Sequence, residues 1–134
     1  MMIAVLLAAI LQATLPMRPI DKGVTSQMDD SRQASARSVS EWSKLWTQHA
    51  GERTRPDVDF SREVVVAVFM GTRPTAGFST EIVRVREEGA ALVVSYRETR
   101  PAPDSVAAQI LTSPFHIVAV PRGSTTDVKF ERVN

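Results

Sequence analysis

Few side chains in this sequence could do chemistry. The 134 residues include no cysteine and only two histidines, His49 and His116, so a thiolate nucleophile, a disulfide and a thiolate zinc site are excluded. No Gly-x-Ser-x-Gly elbow and no His-Glu-x-x-His pair occurs, and these are the local patterns by which many hydrolases and zinc enzymes show themselves. Ser113 and His116 stand three apart, which on an extended segment turns their side chains to opposite faces. Asp57 and Asp59 would point the same way in extended chain, but no further ligand stands near them, and Asp29-Asp30-Ser31 reads as a solvated turn rather than a metal site. His49 falls on the apolar stripe of a helix near its end and reads as a partly buried residue, not a ligand. The expectation is a protein that is not an enzyme, with no catalytic residue, metal, cofactor or specific small-molecule ligand.

A different chemistry stands out among the basic residues. Thirteen of the sixteen are Arg, and the net charge is +1, too small for a nucleic-acid binder, which must neutralise several phosphates from one basic surface. Arg73 and Arg100 directly precede prolines and Arg122 follows Pro121. A planar guanidinium suits carboxylates on a protein partner, and a proline beside it stiffens the loop that carries it.

The elements that must position these arginines are mostly strands. Residues 64–70 form a continuous apolar, β-branched run closed by Gly71, too short for a typical helix, and predict a central strand buried on both faces. Pro74, bracketed by Gly71 and Gly77, then turns the chain. Residues 78–86 and 91–99 alternate around Glu87-Glu88-Gly89-Ala90 and predict an antiparallel hairpin, with Val83 and Val85 on one face. Residues 106–111, 115–120 and 127–133 predict three further strands, although Ala107-Ala108-Gln109 would also suit a helical turn.

Upstream, Ser38 and Glu41 match a capping box that opens an amphipathic helix over 38–50, packed on the sheet through Trp42, Leu45 and Trp46. Val24, Ser26 and Met28 alternate as a short strand, with Ala34 and Ala36 in a second. The predicted fold class is α+β: a mainly antiparallel sheet or sandwich of about five to seven strands with one packed helix. The predicted core is Val64, Val66, Val68, Phe69, Leu92, Val94, Tyr96, Ile117, Val118 and Phe130.

Residues 1–11 are apolar throughout, shorter than the roughly 20 residues of a membrane span but within the length of a signal-peptide core. The domain expectation is a signal peptide over 1–17, a polar N-terminal segment over 18–37 and a single domain over 38–134. The alternatives for the first stretch are an uncleaved tether, the one route to a membrane, or a buried first helix. Exported location follows from the signal reading: periplasmic, cell-surface or extracellular.

The order of these segments also resembles a known family. Val58-Asp59-Phe60-Ser61 running into the central strand, Gly71-Thr72-Arg73-Pro74-Thr75-Ala76-Gly77-Phe78-Ser79, Leu92-Val93-Val94 with Glu98 and Pro101, and Leu111-Thr112-Ser113-Pro114-Phe115-His116-Ile117-Val118 together resemble the C-terminal domain family of the protease-complex subunit PrcB. The likeness covers roughly residues 58–130. It implies a small, mostly β domain that acts as a non-catalytic accessory, with an exported protease as its protein partner, and it carries no catalytic residues to transfer. Ala76 departs from the family's tendency to a second glycine, and no cysteine is present for a lipid anchor. A shorter likeness, at Pro74, Thr75, Gly77 and Phe78, is to chagasin-type inhibitors of cysteine proteases, which implies the alternative of an inhibitor presenting residues 73–78.

If the six strands from residue 63 onward run alternately up and down, loops 71–77, 100–105 and 121–126 emerge at one end. The predicted partner-binding residues are therefore Arg73, Pro74, Thr75, Gly77, Phe78, Arg100 and Arg122, with rigid loops and Arg and aromatic anchors at a protein interface. The export expectation has a direct check in mass spectrometry of the natural N-terminus. The mature chain should begin beyond the apolar stretch, and an intact Met1 in a cytosolic fraction would remove the expectation.

Overall fold

A central strand with two apolar faces needs a layer on each side, and the chain supplies both. The computed structural model describes residues 14–134. The apolar stretch read as a signal core lies outside the described residues, while residues 14–17 lie against the second sheet, where Leu15 donates its N–H to the Val85 carbonyl at 2.8 Å. In chain order the elements are β1 (Arg18–Gly23), β2 (Arg32–Ala36), α1 (Val39–Ala50), β3 (Glu63–Phe69), β4 (Ser79–Glu88), β5 (Ala91–Thr99), β6 (Phe115–Pro121) and β7 (Asp127–Val133). They build one sheet in the order β1-β6-β3-β2 and a second in the order β4-β5-β7. All pairings are antiparallel except that of β5 with β7. The fold is α+β and mainly antiparallel, as the sequence predicts.

β3 is an interior strand, and Val64 to Phe69 are all buried. Side chains alternate across a strand, so Val65, Ala67 and Phe69 enter one core with Phe115, Ile117 and the helix residues Trp42, Leu45, Trp46 and Ala50. Val64, Val66 and Val68 enter the other, with Val118, Val120, Ile82, Val85, Leu92, Val94 and Tyr96. Phe130 packs against this second core half-buried rather than inside it.

The helix forms where the capping box puts it. Ser38 Oγ accepts from Glu41 N–H at 3.1 Å, and Glu41 Oε1 accepts from Arg37 N–H at 2.8 Å, so the first turn is capped on both sides. Both indoles find acceptors, Trp42 Nε1–H on the Pro56 carbonyl at 2.9 Å and Trp46 Nε1–H on the Arg53 carbonyl at 2.8 Å. A buried Trp thereby keeps its polar edge satisfied.

Three expectations change. The first strand is Arg18–Gly23, not 24–28, because Ser26 and Met28 are buried by an irregular segment that bonds to Ser113. Residues 106–111 form no strand; they connect the two sheets, and Val106 is fully exposed at 102%. Val83 and Val85 do not share the buried face, since the β4–β5 register shifts between Ile82 and Arg84 and turns Ile82 and Val85 inward. This bulge frees the Ile82 N–H to donate to His116 Nδ1 of β6 at 2.9 Å, a bond between the two sheets.

Val66 lies opposite Val118 and Ser35 with no solvent exposure. An unpaired carboxylate there costs several kcal/mol against a net stability of about 5–15 kcal/mol. Val66→Asp should therefore abolish the cooperative melt seen by circular dichroism, and a soluble variant melting like the parent would show that β3 is not the central strand.

Candidate functional site

The chain leaves β3 through Met70, whose N–H donates to the Pro114 carbonyl at 2.9 Å. Gly71 follows at φ 81, where an added Cβ would lie 2.8 Å from the Asp29 carbonyl oxygen. Only glycine suits both that backbone and that approach. Thr72 fastens the turn, donating its N–H to the Asp29 carbonyl and its hydroxyl to Asp29 Oδ1, both at 2.9 Å.

The loop is then stitched to the β5–β6 connection. Arg73 N–H donates to the Thr112 carbonyl at 2.7 Å and Thr112 N–H returns to the Arg73 carbonyl at 2.9 Å. Thr112 Oγ1 donates to the Thr75 carbonyl at 2.9 Å, and Ala76 N–H to the Ala108 carbonyl at 3.0 Å. Gly77, at φ 95, approaches Pro101 so closely that a Cβ would lie 2.9 Å from the proline Cβ. Phe78 completes the ridge with two guanidinium groups over its ring, Arg73 at 5.6 Å and Arg100 at 5.9 Å from the centroid. Such stacking is worth about 0.5–1 kcal/mol per cation at exposed sites.

Arg73, Pro74, Thr75, Gly77, Phe78 and Arg100 are thus brought together. Arg73 is largely spent inside the site: its guanidinium donates to the Met70 carbonyl at 3.1 Å, and its Nε is buried without a partner. Arg100 is exposed. Arg122 does not join them. It donates to the Phe60 carbonyl and its N–H to the Arg62 carbonyl, both at 2.8 Å, and Gly123 beside it abuts Glu87. Those residues precede β3 and end β4, so Arg122 sits at the opposite end. The reason is the missing 106–111 strand, which removes one reversal and shifts the parity of everything after β5.

The ridge end also gathers exposed apolar side chains. Val24, Val106, Ile110 and Leu111, exposed by 42, 102, 58 and 72%, are four of the five large exposed hydrophobics among the described residues. Val24 belongs here because its carbonyl accepts from Ser113 N–H at 2.7 Å. A cavity of about 330 Å³ between Val24, Thr25, Leu111, Thr112 and Thr72 opens beside the ridge.

Sequence reasoning missed a second cluster, at His49. The imidazole is completely buried, Nδ1 lies 2.8 Å from Ser26 Oγ, and Nε2 lies 2.9 Å from Asp21 Oδ2, which Arg53 also contacts at 3.1 Å. A carboxylate only accepts, so Nε2 carries the proton and Nδ1 accepts from the Ser26 hydroxyl. Ser26 Oγ in turn accepts the Met28 N–H at 3.0 Å. The order Ser, His, Asp is that of a nucleophile relay, but here the serine is buried and already bonded, and the cluster pins β1, its loop and α1 together. Asp21 and Ser26 are 28 and 23 residues from His49, so no local pattern announced them.

Ser113 and His116 part as expected, Ser113 Oγ donating to the Met28 carbonyl at 2.8 Å and His116 accepting from Ile82. Asp59 serves a local turn, taking the Ser61 N–H and hydroxyl. Among the described residues no cluster of three His, Asp or Glu side chains forms a metal site.

Fold and ridge together define a small two-sheet β domain with one packed helix and a pinned loop surface at one end. Residues 64–121 match the model of the PrcB C-terminal family, the family whose loop and Thr-x-Pro-aromatic-His segments this sequence resembles. The match runs from β3 through β6 and contains both segments of the ridge. No curated protein and no solved structure matches the chain significantly.

Both imidazoles are held neutral. Burial pushes His116 down to about 4, aided by the Lys22 charge and opposed by Glu81. Burial also lowers His49, against the Asp21 hydrogen bond and charge and with the Arg53 charge. Folded values below the ordinary 6.5 mean that the stability is complete above pH 6.5 and lost as pH falls below it, for His116 down to about 4. At about 1.4 kcal/mol per unit, discounted for the solvent that reaches this half-buried ring, His116 alone accounts for on the order of 2 kcal/mol across that window. Urea midpoints should fall between pH 7 and 5, and His116→Asn, which keeps an acceptor for Ile82, should flatten the fall. Equal midpoints at both pH values would contradict this account.

Proposed function

We propose that this chain is an exported, non-catalytic accessory module that binds a protein partner through the ridge of residues 71–78 with Arg100 beside it. The family match supports an accessory role related to a protease complex, and an exported protease is the partner we infer. The single observation that carries the docking reading is the concentration of Phe78 under two guanidiniums and exposed Pro74 on one hydrogen-bonded scaffold. Arg and aromatic anchors in a stiff setting are what protein interfaces favour, because little entropy is lost on docking.

The geometry alters the division of labour among the arginines. Arg73 stiffens the ridge from within, Arg100 is the one placed to meet a carboxylate, and Arg122 braces the far end. The alternative, an inhibitor of cysteine proteases that presents residues 73–78, is favoured by the exposure of Pro74 and Gly77. It is disfavoured by the four hydrogen bonds that tie the loop back to Ala108 and Thr112, which leave a low ridge in place of a free wedge.

The test uses the folded chain as bait for exported proteins, with Phe78→Ala/Arg100→Ala beside Lys129→Ala on the outer face of the second sheet. Capture should fall about tenfold, or about 1.4 kcal/mol, for the double variant and hold for the control. Undiminished capture by a double variant of unchanged melting temperature would defeat the reading.

A further inference from the structure

The 106–111 segment reads as a strand and folds without a sheet to join. Residues 105–115 carry no charge. The N–H groups of Val106, Ala107, Ala108, Gln109 and Leu111 meet no acceptor among the described residues, while the Ala108 carbonyl is taken by Ala76 and Ile110. Unpaired main chain beside Val106, Ile110 and Leu111 is a surface prepared for another strand.

The charges around it narrow the occupant. Arg100, Asp104, Asp29 and Asp30 are all exposed at this end, a mixed-sign rim around an uncharged centre. A strongly acidic or basic partner would meet like charge somewhere on that rim. An isologous pair, by contrast, needs a patch that is its own complement, with both signs present and the centre neutral.

We propose that residues 106–111, with Val24, form a self-complementary patch through which two copies of this chain pair about a two-fold axis. This deepens the docking reading of this end, on which it rests, by assigning the apolar flank to a second copy. An antiparallel pairing centred on Gln109 sets Ala107 against Leu111 of the other copy and uses the free N–H groups of Ala107, Gln109 and Leu111, on the edge away from the Ala108 carbonyl. The ridge meets the segment through Ala76 and Ala108, so pairing along the free donors leaves both ridges uncovered. The patch comprises residues 106–111 and Val24, against about 20–30 residues a side in a standard interface, so the dimer is weak, with Kd on the order of 100 µM.

Sedimentation equilibrium from about 10 µM to about 1 mM brackets such a constant. The parent chain should pass from monomer to dimer, and Ile110→Asp/Leu111→Asp, at two exposed positions, should weaken association about tenfold or more with an unchanged melt. A parent that stays monomeric throughout overturns the proposal. So does a double variant that dimerises like the parent, or a monomer that floats with phosphatidylcholine vesicles, which would assign the patch to lipid. Phe78→Ala/Arg100→Ala should still dimerise. Loss of dimerisation in the parent with partner capture retained would sink the pairing alone, and loss of capture with dimerisation retained would be a failure of the ridge alone.

Discussion

The structure depends on a strand that is apolar on both sides. β3 contributes Val65, Ala67 and Phe69 to the core under α1, and Val64, Val66 and Val68 to the core between the sheets. Neither core closes without it, so the helix layer and the second sheet are energetically joined through six consecutive residues. Full burial of a Val or Phe side chain is worth about 1.5–3 kcal/mol, which makes this short run the largest local contribution to a small domain with no disulfide to help it. The polar devices are arranged around that requirement. The His49 cluster ties β1 to the helix layer, and the His116–Ile82 bond ties β6 to the second sheet.

What was legible in the sequence is what local pattern determines. The β3 run, the β4–β5 hairpin and the capped helix all follow from periodicity and caps written within a dozen residues. β1 was misplaced because Arg-Pro-Ile-Asp-Lys-Gly is an edge strand, polar where it faces water, and carries no apolar alternation to notice. Residues 106–111 show the reverse error, since β-branched and apolar composition gives a propensity that only a neighbouring strand can realise. The Ile82–Arg84 bulge is invisible in sequence because the acceptor it serves, His116, is 34 residues away.

The candidate site divides along the same line. The Gly-x-x-Pro-Thr-x-Gly-Phe loop was readable from its glycines and proline, and Arg100 was correctly drawn to it. Arg122 lies at the far end through a single absent reversal, since strand parity carries every upstream change forward. The inward turn of Arg73 could not be read, because the Met70 carbonyl that holds it is presented only after β3 ends and Gly71 bends the chain. Thr112, which holds the ridge from across the connection through both main chain and hydroxyl, lies in a Thr-Ser-Pro breaker that looks like punctuation.

The stitching of residues 73–76 to residues 108–112 joins segments from either side of the β4–β5 hairpin. The ridge therefore does not exist in a fragment that lacks either segment, nor in a chain whose two sheets have not come together. On the docking reading proposed above, a partner that grips this end would read the integrity of the whole domain and would release a nicked or half-folded chain without any separate signal. The surface is in that sense a certificate of completed folding, issued by two distant loops only when both are in place.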